Sequence, residues 1–380
     1  LALALLALMT LVSVFAISLV WLERKQLGRM QGRVGPTRVG PFGLLQPIAD
    51  AIKLLTKEDV APGSSLRVLF FVAPLLVFIP SFVVWVTIPF ARDVAVRSLD
   101  MGLFFFVAVS VLSIVGLVLA GWSSNSKYAI LGGFRSAAQL VSYEIPIILV
   151  ILGVCMLADS MSFVEVVQAQ TVPYAVVQPL AFCIFLIAGL AEVGRTPFDI
   201  YFAESEVVGG PFVEYSGAHW AIFFLAEYVN TFLIGILAAL LFLGGWNWPF
   251  QPLPEAAGQL DTALRILLVL GKAYVVVAVI FWIRATYPRM RIDQLMAFGW
   301  KVLIPLAFAS VLATAFQLFY GWPLWTLTLI SVGILAVPVG LQMKIQRSPI
   351  VDRAQRMRMN AILVEALQAP ERHQIEGDEN

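Results

Sequence analysis

Residues 218–243 read AHWAIFFLAEYVNTFLIGILAALLFL, a long apolar run in which Glu227 is the one charged side chain. A helix of about 20 such residues crosses the ~30 Å hydrocarbon core of a bilayer. No water is available there to satisfy backbone N–H and C=O groups, so the run has to be helical. Comparable runs occupy about 2–21, 67–89, 102–121, 137–157, 173–193, 263–283, 301–320 and 323–343. With 60% hydrophobic and 13% charged residues, the 380-residue chain is too apolar for an ordinary soluble domain. The expected fold is all-α: a polytopic transmembrane helix bundle of about nine spans. The transmembrane domain should cover 1–343, followed by a cytoplasmic tail over 344–380. The opening LALALLALMT lacks a basic n-region and reads as a retained helix rather than a signal peptide.

If the spans alternate, one side of the membrane receives 24–66, 122–136, 194–217, 284–300 and the tail, with Arg67 and Lys301 at their edges. That side holds all of the 25 Lys and Arg except Arg92, Arg97, Arg265 and Lys272. By the positive-inside rule it is cytoplasmic, and the N-terminus lies outside. A bacterial inner (plasma) membrane is the expected location. The net charge of +1 says little about partners by itself, and no nucleic acid is expected among them. The cysteines Cys155 and Cys183 fall inside apolar runs and read as small buried residues. The two histidines, His219 and His373, are too few for a His-ligated haem pair between helices. No Walker A motif, dinucleotide fingerprint, Cys cluster or nucleophile elbow occurs. The chain is therefore expected to carry no metal, cofactor or redox centre of its own.

Two cytoplasmic stretches are unusual. Residues 23–43, ERKQLGRMQGRVGPTRVGPFG, mix basic residues with Gly and Pro, which suits an ordered, irregular loop. A lipid-headgroup patch is the alternative reading of the same residues. In 44–58, LLQPIADAIKLLTKE, Leu44, Leu45, Ile48, Ile52 and Leu55 share one helical face, while Asp50, Lys53 and Lys57 turn away. This segment is too short to span and is expected to lie in the interface as an amphipathic helix.

Acids are scarce within the spans, so those present carry information. Glu144 lies in the fourth, Glu192 closes the fifth and Glu227 sits near mid-depth in the sixth. An acid at a helix centre costs up to about 3 kcal/mol on insertion scales. Such groups persist when paired, protonated or lining water. Glu192 and Arg195 are spaced i, i+3, which suggests a local ion pair. Glu144 and Glu227 have no local cation; burial disfavours their charged form, the condition for a proton relay. A protonated glutamate hydrogen-bonded to a neighbouring helix is the plainer reading of any one alone. Beside the acidic stretch AEVGRTPFDIYFAESEVVGGPFVEYSG (191–217), which adds Asp199, Glu204, Glu206 and Glu214, an aqueous proton path accounts for all of them together.

Four blocks then become specific: ERKQLGRMQGRVGPTRVGPFGLLQPIADAIKLLTKE, GWSSNSKYAILGGFRSAAQLVSYE, AEVGRTPFD…AESEVVGG…EYSG…FFLAEY, and RATYPRMRIDQLMAFGWK. In order, over about 20–301, they resemble the H-type membrane subunits of proton-pumping NADH:quinone oxidoreductase, respiratory complex I. The resemblance implies a quinone chamber at the junction of the peripheral and membrane arms. It also implies an acidic channel toward the proton-pumping subunits. Quinone is then the substrate, while NADH, FMN and iron–sulfur clusters belong to partner subunits. The implied partners are the quinone-site subunits of the peripheral arm, small membrane-arm subunits and membrane lipid.

Carried over by motif, Glu23, Arg24, Lys25, Arg33, Asp50, Phe198, Asp199, Glu204 and Glu206 resemble residues of the quinone chamber. Glu144, Glu192, Glu214 and Glu227 resemble the acidic channel. Arg195, Arg284, Arg289, Arg291 and Asp293 resemble positions against the peripheral arm. The sequence departs from the family where F-D-x-x-E-x-E-S-E is usual, having Phe202 in place of a glutamate and Tyr201 before it. Membrane-bound ion-pumping hydrogenases share parts of this sequence and remain the alternative. A stand-alone proton-coupled transporter is disfavoured, because no internal repeat is visible.

Overall fold

The computed structural model describes residues 2–92, 94–200, 207–248 and 259–346. The chain divides into two compact units, Leu1–Thr328 and Leu329–Asn380; the packing and the sites described below belong to the first. Thirteen helices are described: α1 (Ala2–Met30), α2 (Gln46–Thr56), α3 (Arg67–Val83), α4 (Gly102–Ser123), α5 (Lys127–Ala158), α6 (Phe163–Ala169), α7 (Tyr174–Val177), α8 (Pro179–Glu192), α9 (Gly217–Leu241), α10 (Gln259–Thr286), α11 (Ile292–Phe298), α12 (Ile304–Tyr320) and α13 (Leu324–Gln346). Among the described residues seven stretches are long and apolar enough to cross a membrane, α11 and α12 counting as one, and two shorter apolar helices are Pro179–Glu192 and Leu324–Ala336. These nine match the expected spans in order, and the fold is an all-α polytopic bundle.

Boundaries differ where local chemistry outweighs hydropathy. The first helix continues past the apolar run to Met30, so Glu23–Met30 are helical rather than part of an irregular loop. Lys, Arg, Gln and Leu are good helix formers, and the chain leaves the helix only near Gly32, at φ 66°. The fifth span is interrupted at Gln178, which at φ −125° and ψ 66° is not helical, as the clash with a following proline disfavours the helical region. Its side chain is held by Thr314, with Nε2 donating to Oγ1 at 2.7 Å. The amphipathic helix expected over 44–58 is present as α2.

Helices α3, α4, α5 and α9 enclose a core that includes Phe70, Val77, Leu117, Leu140 and Phe223. Lipid is as apolar as a leucine side chain, so close packing, rather than escape from water, holds such helices together. A Cβ at Gly116 would stand 2.6 Å from Val77 Cγ2, and one at Gly235 2.7 Å from Val277 Cγ2. Those two glycines let α4 approach α3 and α9 approach α10. Farther along, Lys272 of α10 reaches the turn that ends α9, where Nζ donates to the carbonyls of Leu243 (2.7 Å), Gly245 (2.7 Å) and Asn247 (2.6 Å). Helix α1 packs against both α9 and α10, and α2 against α1 and α9.

Candidate functional site

The consecutive charges Glu23, Arg24 and Lys25 stand on α1, where each residue is rotated by about 100° from the last. They consequently point three ways. Glu23 shares the inward face with Val12 and Leu19 and is 3% exposed. Arg24 continues the face of Ser13, Ala16, Ile17 and Val20, which lines a large cavity. Lys25 lies with Trp21, Gln26 and Arg29 along a separate groove.

Glu23 is the centre of a buried charge cluster. Its Oε2 accepts a hydrogen bond from Tyr228 Oη at 2.8 Å, and its Oε1 accepts from Arg284 Nη1. Arg195 Nη1 is 3.7 Å from the same Oε1, while Arg195 Nη2 is 3.0 Å from Glu227 Oε1. The Arg195 guanidinium also sits 4.6 Å from the ring centroid of Tyr228, a cation–π contact. Two carboxylates and two guanidiniums from α1, α9, α10 and the segment after α8 thus compensate one another. Pairing of this kind is what makes buried charge tolerable.

Arg195 is positioned by a well-anchored turn. The helix α8 ends at Glu192, and Gly194, at φ 67°, redirects the chain. Gln139 of α5 then pins that chain on both sides, its Nε2 donating to Ala191 O at 2.8 Å and Phe198 O at 2.7 Å. Helical i, i+3 spacing therefore does not extend from Glu192 to Arg195. The expectation of a local pair gives way to the long-range pairs with Glu23 and Glu227.

On the other side of Tyr228 is a cavity of about 650 Å³ between α1, α2 and α9. Its wall is chiefly apolar, with Val20, Leu54, Ile222, Phe224 and Leu225 among the lining residues. Polar groups gather at Arg24, whose Nη1 donates to Asp50 Oδ2 at 2.7 Å, with Lys53 Nζ 3.9 Å from the other Asp50 oxygen. The volume is that of a site for a sizeable organic ligand, ~300–1,000 Å³.

On the inner side of the cluster two small cavities follow, each about 40 Å³, larger than the ~10–15 Å³ that one water needs. One is lined by Glu192 and Glu227, the other by Glu144 and Glu192, and both by Ser113 and Asn230. Ser110 donates to Glu144 at 3.2 Å. Glu192 Oε2 is buried with no hydrogen-bond partner among the described residues, which suits a carboxyl group facing water. The three span glutamates are thus strung in the order Glu227, Glu192, Glu144.

The family model described as NADH dehydrogenase matches residues 3–315. Among curated relatives, the H-type subunit of NADH-quinone oxidoreductase from Dehalococcoides mccartyi (strain ATCC BAA-2266 / KCTC 15142 / 195) is 47% identical over 322 residues, covering 85% of this chain and 88% of the relative. The chain belongs to this NADH dehydrogenase family of H-type subunits. Its similarity to the corresponding protein of Geobacillus kaustophilus (strain HTA426) is 50% over 295 residues, 77% of this chain and 86% of the relative. With that of Brevibacillus brevis (strain 47 / JCM 6285 / NBRC 100599) it shares 46% over 302 residues, 79% and 88% of the two chains.

Within this member of the family the expected chamber residues separate. Arg24 and Asp50 line the large cavity, Glu23 lies behind its wall, and Lys25 faces the opposite side of α1. Arg33 is exposed and bonds to Gln31. Phe198 is buried against Tyr143 and Phe298, and Asp199 pairs with Arg289 at 2.9 Å. Arg195 and Arg284, expected against a partner, both pair with Glu23 in the buried cluster. Arg291 and Asp293 are exposed at the start of α11. Glu214 is half-buried and lines neither small cavity. Tyr201, Phe202, Glu204, Glu206 and the tail from residue 347 lie outside the described residues.

The sequence reading missed Tyr228 and Asn230. Tyr228 adjoins Glu227 in the run, and a polar aromatic beside a membrane acid is the signal that marks it. Asn230 lies three residues beyond Glu227, so it shares that side of the helix.

Proposed function

We propose that this chain is the membrane subunit of a proton-pumping NADH:quinone oxidoreductase that holds quinone between α1, α2 and α9. From there it passes a charge signal along Glu227, Glu192 and Glu144. The observation that carries the reading is Tyr228, which lines the large cavity and donates to Glu23. One side chain thereby joins a quinone-sized space to the buried charges.

An isoprenoid tail fits the apolar wall, and the Arg24–Asp50 pair offers donors and acceptors to a carbonyl headgroup. Electrons come from an iron–sulfur cluster of a neighbouring subunit, and the chemistry of NADH and FMN belongs to partner subunits. Reduction to quinol consumes two protons, so the charge beside the chamber changes at each turnover. Arg195 is shared between Glu23 and Glu227. A greater negative charge near Glu23 draws it outward and leaves Glu227 short of its cation. Glu227 then takes up a proton, and the change is relayed through the water-sized cavities to Glu192 and Glu144. A shared cation is a two-state element of the kind that such a signal can bias. The chain is placed in a bacterial inner membrane with its N-terminus outside, the ends bearing Arg29 and Arg284 facing the cytoplasm and the peripheral arm.

A quinone analogue carrying a photoreactive azide on its tail tests this in the purified complex. Labelling of α1, α2 or α9, competed by quinone, is expected. Labelling confined to other helices would overturn the proposal.

A further inference from the structure

The groove on the opposite face of α1 is not used by that mechanism. It has a volume of about 590 Å³ and lies between α1, α10 and the turn Pro41–Gly43. Its walls include Trp21, Phe42 and Trp282, with Phe42 77% and Trp282 55% exposed. Trp21 Nε1 donates to Phe42 O at 3.2 Å, and Gln26 Nε2 to Ala278 O at 2.9 Å, so the turn and α10 are both tied to α1. Two cations line the groove, Lys25 and Arg29, spaced i, i+4 on one face. Neither has a carboxylate partner among the described residues, unlike Arg24, Arg195 and Arg284.

We infer that this groove binds an anionic phospholipid, its phosphate between Lys25 and Arg29 and an acyl chain along Leu22, Ala278 and Trp282. The position carries the argument as much as the charge. Arg29 stands at the end of the apolar stretch Leu5–Met30, and Trp282 lies two residues before Arg284 near the end of α10. Tryptophans at that depth mark the headgroup boundary of a bilayer, where basic pockets between spans select anionic headgroups. The groove is therefore apolar where acyl chains begin and doubly positive where phosphates lie. The basic stretch of 23–43 thus divides its charges: Arg24 joins the chamber, and Lys25 and Arg29 face lipid.

The test uses the whole purified complex, exchanged into mixed micelles of phosphatidylglycerol and phosphatidylcholine, with retained lipid measured by mass spectrometry. Lys25→Gln with Arg29→Gln should weaken phosphatidylglycerol retention roughly 30-fold, the equivalent of ~1 kcal/mol for each cation. Phosphatidylcholine, whose choline offsets the charge of its phosphate, should lose less, so the preference for phosphatidylglycerol should fall. Lys25→Arg with Arg29→Lys keeps both charges and should keep the lipid. Trp282→Ala should lower the retention of both lipids by loosening the acyl chain. Retention of phosphatidylglycerol equal to wild type in the double Gln variant overturns the site. So does a photoreactive side chain at position 282 that cross-links to a partner protein and not to lipid.

Discussion

Arg195 Nη2 lies 3.0 Å from Glu227 Oε1 while Nη1 of the same guanidinium is 3.7 Å from Glu23 Oε1. One cation on the segment after α8 thus serves two acids on two different spans. Removing it leaves Glu23 with Arg284 and takes from Glu227 its paired cation, in a site where Arg195 itself is only 5% exposed. Loss of one partner from a buried ion pair costs about 3–5 kcal/mol.

Arg195→Gln should therefore destabilise the chain by roughly 3–5 kcal/mol, read as a lowered unfolding transition in detergent. Adding Glu227→Gln should restore part of that loss, because an uncompensated carboxylate disappears. Strict additivity of the two substitutions would show that they do not share a charge. Arg195→Lys should rescue only partly, since an ammonium cannot span two carboxylates as a guanidinium fork does.

Tyr228→Phe keeps the ring beneath Arg195 but removes the hydrogen bond donated to Glu23. Quinone reduction by the complex should fall roughly 10- to 100-fold, matching the ~1.5–3 kcal/mol of a hydrogen bond to a charged group. Oxidation of NADH by a hydrophilic acceptor, which would bypass the proposed chamber, should be unchanged. Equal loss of both activities would instead assign Tyr228 to folding.

Glu144→Ala and Glu227→Ala should each lower proton pumping more than they lower NADH oxidation by an artificial hydrophilic acceptor. The comparison is made in vesicles by following a pH-sensitive dye alongside the oxidation rate. Glu204→Gln and Glu206→Gln, at positions outside the described residues, should likewise impair coupled turnover while leaving assembly intact. Unchanged coupled turnover in those two variants would remove them from the site.

Lys272→Met preserves the length of a side chain whose ammonium is held by three carbonyls at the end of α9. Those acceptors would lose their donor, at a cost of about 1–3 kcal/mol. A lower unfolding temperature is expected, with faster proteolysis near Gly244 and Gly245. Proteolysis at the wild-type rate would show that the ammonium does not hold that turn.

Much of the bundle is legible because apolar runs of spanning length admit few alternatives. Glu144 and Glu227 announce themselves by being charged where charge is expensive. Their partners do not. Glu23 and Tyr228 are 205 residues apart and Glu23 and Arg284 are 261 apart, so no local pattern could join them. Arg195 has a plausible local partner in Glu192, and only the turn at Gly194 shows that helical spacing ends before it. The three directions of Glu23, Arg24 and Lys25 were within reach of sequence reasoning. They follow from the 100° step once the helix is known to extend to Met30, but the nearby glycines and prolines favoured a loop.

The three-way arrangement on α1 makes the chain sensitive to insertions and deletions in an unusual way. A conservative substitution at Ser13 or Ile17 alters one wall of a cavity. Deleting one residue between Leu19 and Glu23 would instead rotate every charge that follows by about 100° relative to the preceding turn. The contacts of three faces, with the charge cluster, the cavity and the groove, would be reassigned in one event. Length, more than composition, is what natural variation in this part of the helix should preserve.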